Sequence, residues 1–432
     1  MGKQKRSNLE TTISHRLDRR RSSSTIRRLT TTPSNAVDFS SNDFLSLASN
    51  DELRRSFLEE LARGPSNTGS GGSRLLDGNS TYAEALEHRI AAFHNARTGL
   101  LCNSGFDANV GLFSCLPQSG DVIVYDEAIH ASVHDGMKLS RAGKCVSFAH
   151  NDVEALRTVL YDCVAADPAV KDGRRNVFVA VETVYSMDGD IAPLQAIVNL
   201  LNDESVLPAS NSYFIVDEAH SNGIYGARGR GLVSELGLEE EVAVRLHTFG
   251  KALAANGAIL LCSPLIREYL VNYARPLIYT TFMSFPALAA IKASYGFLET
   301  GRAESLARNL MDVLIPGLHA RLLALEETLS AMEGSSATAL LRVPSECPKS
   351  AIFSVLTSEP KTLAAYCQSK GFVVRGIVPP TVPAGTERIR ICLHGGNTVQ
   401  QLDGLVECIR QWVEMRSVQG PEASNVMVKA RL

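Results

Sequence analysis

Between about residue 66 and residue 290 the chain alternates short apolar runs with longer amphipathic stretches. The runs at 98–102, 121–125, 144–148, 177–182, 213–217, 244–248 and 258–262 are rich in Val, Ile, Leu and Phe and are bounded by polar or turn-forming residues. Runs of this length that stay mostly apolar suit strands buried on both faces, and amphipathic helices between them supply the cover. The pattern predicts an α/β fold built on a large, mostly parallel seven-stranded sheet. A helical stretch over roughly 286–332 then leads into a second set of strands and helices that runs to about 415, read as a smaller α+β domain. The expected partition is a basic N-terminal arm (1–45), a large domain (46–290), a small C-terminal domain (291–417) and a tail (418–432). Within the first part, residues 1–35 read as an arm followed by a helix, with order beginning near Val37.

Charge changes this picture only at the ends. The net charge of −3 gives no global case for nucleic-acid binding. Residues 1–30 nevertheless carry nine Lys/Arg against Glu10 and Asp18. No aromatic residue interleaves those arginines, so a solvated or dimer-contacting arm is the expectation, with no nucleic-acid partner. No uncharged apolar stretch approaches the ~20 residues of a membrane helix, so no membrane partner is expected either. The nine cysteines are scattered without a C-x-x-C pair, which points to neither a zinc site nor a disulfide framework, and no metal is expected. The closing Ala430-Arg431-Leu432 has the small–basic–Leu pattern read by the peroxisomal import receptor, and a peroxisomal location is expected, with cytoplasm or mitochondrion as alternatives.

The candidate chemistry centres on Lys251. It sits in a turn of small residues (Gly250, Ala252, Ala254, Ala255, Gly257), 34 positions after Asp217 at the end of an apolar run. A desolvated lysine and a carboxylate at a strand end suit pyridoxal 5′-phosphate (PLP). The amine forms a Schiff base with the aldehyde, and the acid keeps the pyridine nitrogen protonated. In parallel sheets such groups gather at the carboxyl ends of strands, where Asp126, Glu182, Asp217 and Thr248 are all expected. Ser104, Gly105 and Phe106 follow a strand and open a helix, a turn whose N–H groups can hold a phosphate, and Thr248 offers a hydroxyl to the same group. His130 is placed to stack on the pyridine ring, and His220 to bond its phenolic oxygen. Glu182 and Ser186 are further polar candidates near the cofactor. Lys251, His130 and Asp217 form the predicted catalytic set.

These pieces, in this order, resemble the α-oxoamine synthases, a fold-type I PLP-dependent family that condenses an amino acid with an acyl-CoA and releases CO2. The resemblance runs from about Asp38 to Val413. It rests also on the glycine-rich Ser70–Gly78, on Ser186–Leu194 and on Gly223–Gly231. The segment Pro379–Arg390, with Phe148–Asp152 and Leu277–Thr281, is very similar to the biotin-pathway branch, whose substrates are L-alanine and pimeloyl-CoA. The resemblance implies that Arg390 binds the amino-acid carboxylate and that Asn42 belongs to the same substrate site. It also implies that Thr280 and Thr281 reach the phosphate of a neighbouring subunit, making a homodimer the expected unit. The chain departs from the family at Ala83, at Ala254–Asn256, and at Ser221 and Asn222, none of them in the predicted catalytic set. Other readings are a condensation using glycine, serine or alanine with a different acyl thioester, an aminotransferase on the same fold, and a silent scaffolding subunit.

Overall fold

The computed structural model describes residues 7–23, 25–65, 67–331 and 340–419. Its contacts divide into two compact units, residues 1–36 and 37–432. In the first, a helix spans Asn8–Ser22, so the helix lies inside the basic arm rather than after it. Ser7 and Glu10 close a capping box at its start, and Arg19, Arg20 and Arg21 occupy its last turn, where cations complement the helix dipole. The C-terminal Ala-Arg-Leu lies outside the described residues.

In the second unit seven strands form one sheet: β1 (Thr98–Cys102), β2 (Val122–Asp126), β3 (Lys144–Phe148), β4 (Val177–Glu182), β5 (Ser212–Asp217), β6 (Val244–Thr248) and β7 (Ala258–Cys262). Their spatial order is β1-β7-β6-β5-β4-β2-β3. All neighbours are parallel except β7, which runs antiparallel to both β1 and β6. Every residue of β4 and β7 is buried, as the uninterrupted apolar runs require. Strand β2 begins at Val122 rather than at 121. Asp121 is instead a buried staple, its two carboxylate oxygens accepting from Gln118 N at 2.7 Å and Asn176 N at 2.8 Å.

The long helical stretch is interrupted. Phe285–Glu299 ends at Gly301, whose φ of +74° is the left-handed conformation that stops helices, and helix resumes in Glu304–Arg308 and Ile315–Ala331. A second, antiparallel sheet follows, formed by β8 (Ile352–Leu356), β9 (Arg375–Ile377) and β10 (Arg388–Cys392) in the order β9-β10-β8. Helices Pro360–Ser369 and Val399–Gln419 pack with it, and Trp412 on the latter is fully buried. The segment after Val37 is laced to this region: Phe39 O accepts from Cys392 N at 2.8 Å and Phe44 O from Gly395 N at 2.7 Å. That lacing carries residues 39–47 past the carboxyl ends of the large-sheet strands. Among the described residues, no helix is long and apolar enough to cross a membrane.

Candidate active site

The carboxyl ends of four adjacent strands supply the centre of the site. Asp126, Glu182, Asp217 and Thr248 are the last residues of β2, β4, β5 and β6, and the β4–β5 register sets Glu182 beside Asp217. Lys251 follows β6 in a tight turn closed by Ala254 N to Lys251 O at 3.0 Å and Ala255 N to Phe249 O at 2.9 Å. Its Nζ lies 2.7 Å from His220 Nε2. Burial lowers the Lys251 pKa, opposed by the Asp217 and Glu182 charges and reinforced by Arg390. Burial, with Lys251 next, holds His220 well below the usual imidazole range, so it stays neutral and accepts from the ammonium. Burial also pushes Glu182 up to about 8, with the Asp217 charge adding to it.

The predicted phosphate-binding residues come together. Ser104 caps the helix Gly105–Cys115, its Oγ accepting from Asp107 N at 3.0 Å. A Cβ on Gly105 would lie 3.5 Å from the Thr248 side chain, so the helix N-terminus and the Thr248 hydroxyl face one small space. Thr280 and Thr281 are exposed, and the Thr281 carbonyl accepts from Asn103 Nδ2 at 2.7 Å, next to the Ser104 turn. His130 caps the helix Ala131–Leu139 and lies open to solvent beside Phe106, their ring centroids 6.5 Å apart.

On the other side, Arg390 projects from β10 into the same space. Its Nε donates to Ser186 O at 2.5 Å and its Nη2 to Asn42 Oδ1 at 3.0 Å. The guanidinium is 7% exposed, and among the described residues it has no ion pair with a carboxylate. A buried cation held only by neutral acceptors is a ready site for an incoming carboxylate.

Some participants escaped the sequence reading. Asn109 Nδ2 bonds Asp217 Oδ2 at 2.9 Å and Ser132 Oγ at 3.0 Å. His150 is clamped between Asp126 Oδ1 at 2.8 Å and Asp190 Oδ2 at 2.6 Å. The segments containing Asn109 and His150 drew attention as strand-to-helix turn and family motif, but nothing local announces their partners.

The site suits PLP on its own geometry. A desolvated amine, a buried carboxylate, an open imidazole and a helix N-terminus beside a hydroxyl converge. The buried Nδ1 of His220 also lacks a hydrogen-bond partner among the described residues. Residues 34–409 match the family described as aminotransferase class I and II.

The chain belongs to that family.

Within the aminotransferase class I and II family, the chain is 53% identical over 390 residues to an 8-amino-7-oxononanoate synthase of Emericella nidulans, a match spanning 90% of this chain and 92% of the relative. It is 42% identical over 382 residues to the aminoacyl transferase sphA of Aspergillus fumigatus, spanning 86% and 79% of the two chains. The fold superposes on serine palmitoyltransferase from S. paucimobilis with bound PLP at a TM-score of 0.77 and 24% identity, covering 95% of this chain and all of the other. This family member is a PLP-dependent acyltransferase of the α-oxoamine synthase group, and its cofactor is PLP. Enzymes of that group act on an amino acid and an acyl-CoA.

Proposed function

We propose that the enzyme joins L-alanine to pimeloyl-CoA, releasing CoA and CO2 and forming 8-amino-7-oxononanoate. The observation that carries the amino-acid half is Arg390, buried, bonded to Ser186 O and Asn42 Oδ1, and without a carboxylate partner among the described residues. The acyl half is supported by the 53% identity to an 8-amino-7-oxononanoate synthase.

When bound, PLP supplies an electron sink that stabilises negative charge at the amino acid's α-carbon. Lys251 Nζ would hold its aldehyde, and the Asp217 carboxylate would keep its pyridine nitrogen protonated. Ser104, Gly105 and Thr248 would hold the phosphate, with Thr280 and Thr281 reaching that of a partner subunit. His130 and Phe106 would hold the ring, and His220, Ser186 and Glu182 would complete the polar wall. Arg390 takes the substrate carboxylate in its fork and turns the α-hydrogen toward Lys251. Burial makes the Lys251 amine a weaker base than a free lysine, so Nζ can take that proton and later return it near neutral pH. The α-carbon then bonds to the thioester carbonyl carbon, the CoA thiolate leaves, and the carboxylate is lost as CO2.

The homodimer belongs to the same reading. Exposed Leu76, Phe106 and Tyr279 give the side of the molecule carrying Thr280 and Thr281 an apolar surface that a second copy would cover. Light scattering of the purified enzyme should give twice the chain mass. The peroxisomal location is proposed on Ala430–Leu432 alone. A fluorescent fusion should move from peroxisomes to cytosol when those three residues are removed, and an unchanged pattern refutes the signal.

The likeness to sphA and to serine palmitoyltransferase keeps one competitor in view, the same condensation with another amino acid and acyl thioester. Thiol release measured across a matrix of amino acids and acyl-CoAs decides. The highest kcat/KM should fall on L-alanine with pimeloyl-CoA; a better pair elsewhere overturns the substrates, and no CoA release with any pair would indicate an aminotransferase.

A further inference from the structure

Four side chains form an unbroken hydrogen-bonded line along the site. Asn109, on the helix Gly105–Cys115, donates one amide hydrogen to Asp217 Oδ2 at 2.9 Å and the other to Ser132 Oγ at 3.0 Å. Ser132 Oγ lies 2.7 Å from His130 Nδ1, and the Ser132 backbone N–H donates to the same nitrogen at 3.2 Å. Asp217, Asn109 and Ser132 are buried, so water does not compete for the bonds among them, while His130 at the end of the line is exposed.

The direction of each bond follows from the chemistry at its ends. An ionised carboxylate only accepts, so the Asn109 group facing Asp217 is the NH2 and not the oxygen. Its second hydrogen takes one of the two lone pairs of Ser132 Oγ, and the Ser132 backbone N–H requires a lone pair on His130 Nδ1, so at 2.7 Å the hydroxyl donates to that nitrogen. The Ser132 backbone N–H cannot reverse. His130 Nδ1 therefore faces donors alone and must keep its lone pair.

We propose that Ser132 and Asn109 are positioning residues that lock His130 as the neutral tautomer protonated on Nε2, the Ser132 backbone N–H setting the direction and Asn109 tying the Ser132 hydroxyl to Asp217. The charged groups around His130 act on both sides of the balance. The partial burial of the imidazole opposes its protonation first, Asp217 favours it, and Lys251 and His134 oppose it. The relay adds a directional constraint that these fields lack. Resting on the reading of His130 as the cover of the PLP ring, the consequence is a division of charge. The anion that keeps the pyridine nitrogen protonated is tied through Asn109 to the ring stacked above it, which stays uncharged and avoids a cation-on-cation stack. Its Nε2–H remains available as a donor.

The test is nuclear magnetic resonance on the full chain with isotope-labelled histidine, with and without PLP, His130 being assigned by the signal missing from His130→Gln. In the wild type Nδ1 should read as unprotonated and Nε2 as protonated. Asn109→Ala removes the bond that holds Ser132 Oγ in place, and Ser132→Ala removes the hydroxyl donor. Each should raise the His130 pKa by about one unit, the scale of one hydrogen bond, and Ser132→Thr, which keeps the hydroxyl, should restore it. A protonated Nδ1 in the wild type, or a His130 pKa unmoved in both alanine variants, overturns the relay. If the variants do not fold, the wild-type tautomer alone decides. His130 signals indifferent to added PLP would refute the stacking reading and leave the tautomer result standing.

Discussion

Replacing His150 by Asn should destabilise the protein in a way that depends steeply on pH. The imidazole bridges Asp126, at the end of β2, and Asp190, at distances of 2.8 Å and 2.6 Å, with the Tyr185 ring edge-on at 4.4 Å. Burial works against the imidazolium, but the two carboxylates overcome it and push His150 up to about 10. A folded pKa above the unfolded value of about 6.5 means that protonation favours the folded state. The contribution is complete below pH 6.5, shrinks by about 1.4 kcal/mol per pH unit above it, and is gone once the pH passes about 10. The interval between 6.5 and about 10 caps it near 5 kcal/mol. With the side chain 26% exposed, solvent screening brings the expected loss to about 2–4 kcal/mol at pH 6. Urea unfolding of wild type and His150→Asn, followed by circular dichroism at pH 6 and pH 10, measures it. A difference of the same size at both pH values, or none at pH 6, would refute the reasoning.

Three further outcomes follow from the site and its supports. Lys251→Ala should abolish the absorbance band of covalently held cofactor and reduce kcat about a thousandfold or more; a retained band or turnover removes Lys251 from its role. Arg390→Ala should raise the KM for the amino acid by roughly 30-fold, about 2 kcal/mol of charge-assisted hydrogen bonding, and leave the KM for acyl-CoA nearly unchanged. Equal changes in both constants would place Arg390 elsewhere. Gly189→Ala should lower stability by about 2–4 kcal/mol, read as a fall in Tm. The reason is that φ is +79° and a Cβ would overlap Ile352 O and lie 2.7 Å from Ser350 Oγ. An unchanged Tm would mean that the loop yields there.

The central strands were legible because runs such as Val177–Glu182 and Ala258–Cys262 are apolar and buried throughout, whereas the edge strand Lys144–Phe148 is mostly exposed and showed itself only by its place in the alternation. Lys251, Asp217, Thr248 and Ser104 were legible for a related reason: strand-end and strand-to-helix positions are local features, and they carry their chemistry with them. The break at Gly301 was less visible because one glycine within an otherwise helical composition does not declare a left-handed φ. The position of the helix in the basic arm was likewise less visible, since its stripe of Leu9, Ile13 and Leu17 is short and set among polar and charged residues.

The amino-acid sequence by itself determined the α/β class and the order of the elements, and it named the residues proposed to hold PLP. Only the tertiary structure decided which of them meet. Asn42 and Arg390 are 348 positions apart and share a hydrogen bond because residues 39–47 are laced against β10. Asn109 reaches Asp217 across 108 positions, and His150 joins Asp126 to Asp190. The antiparallel setting of β7 and the sheet order belong to the same category. Periodicity fixes the face on which a side chain lies, because that follows from local backbone geometry. Which faces come together depends on strand order and crossover, where the energy lies in contacts between segments far apart in the chain.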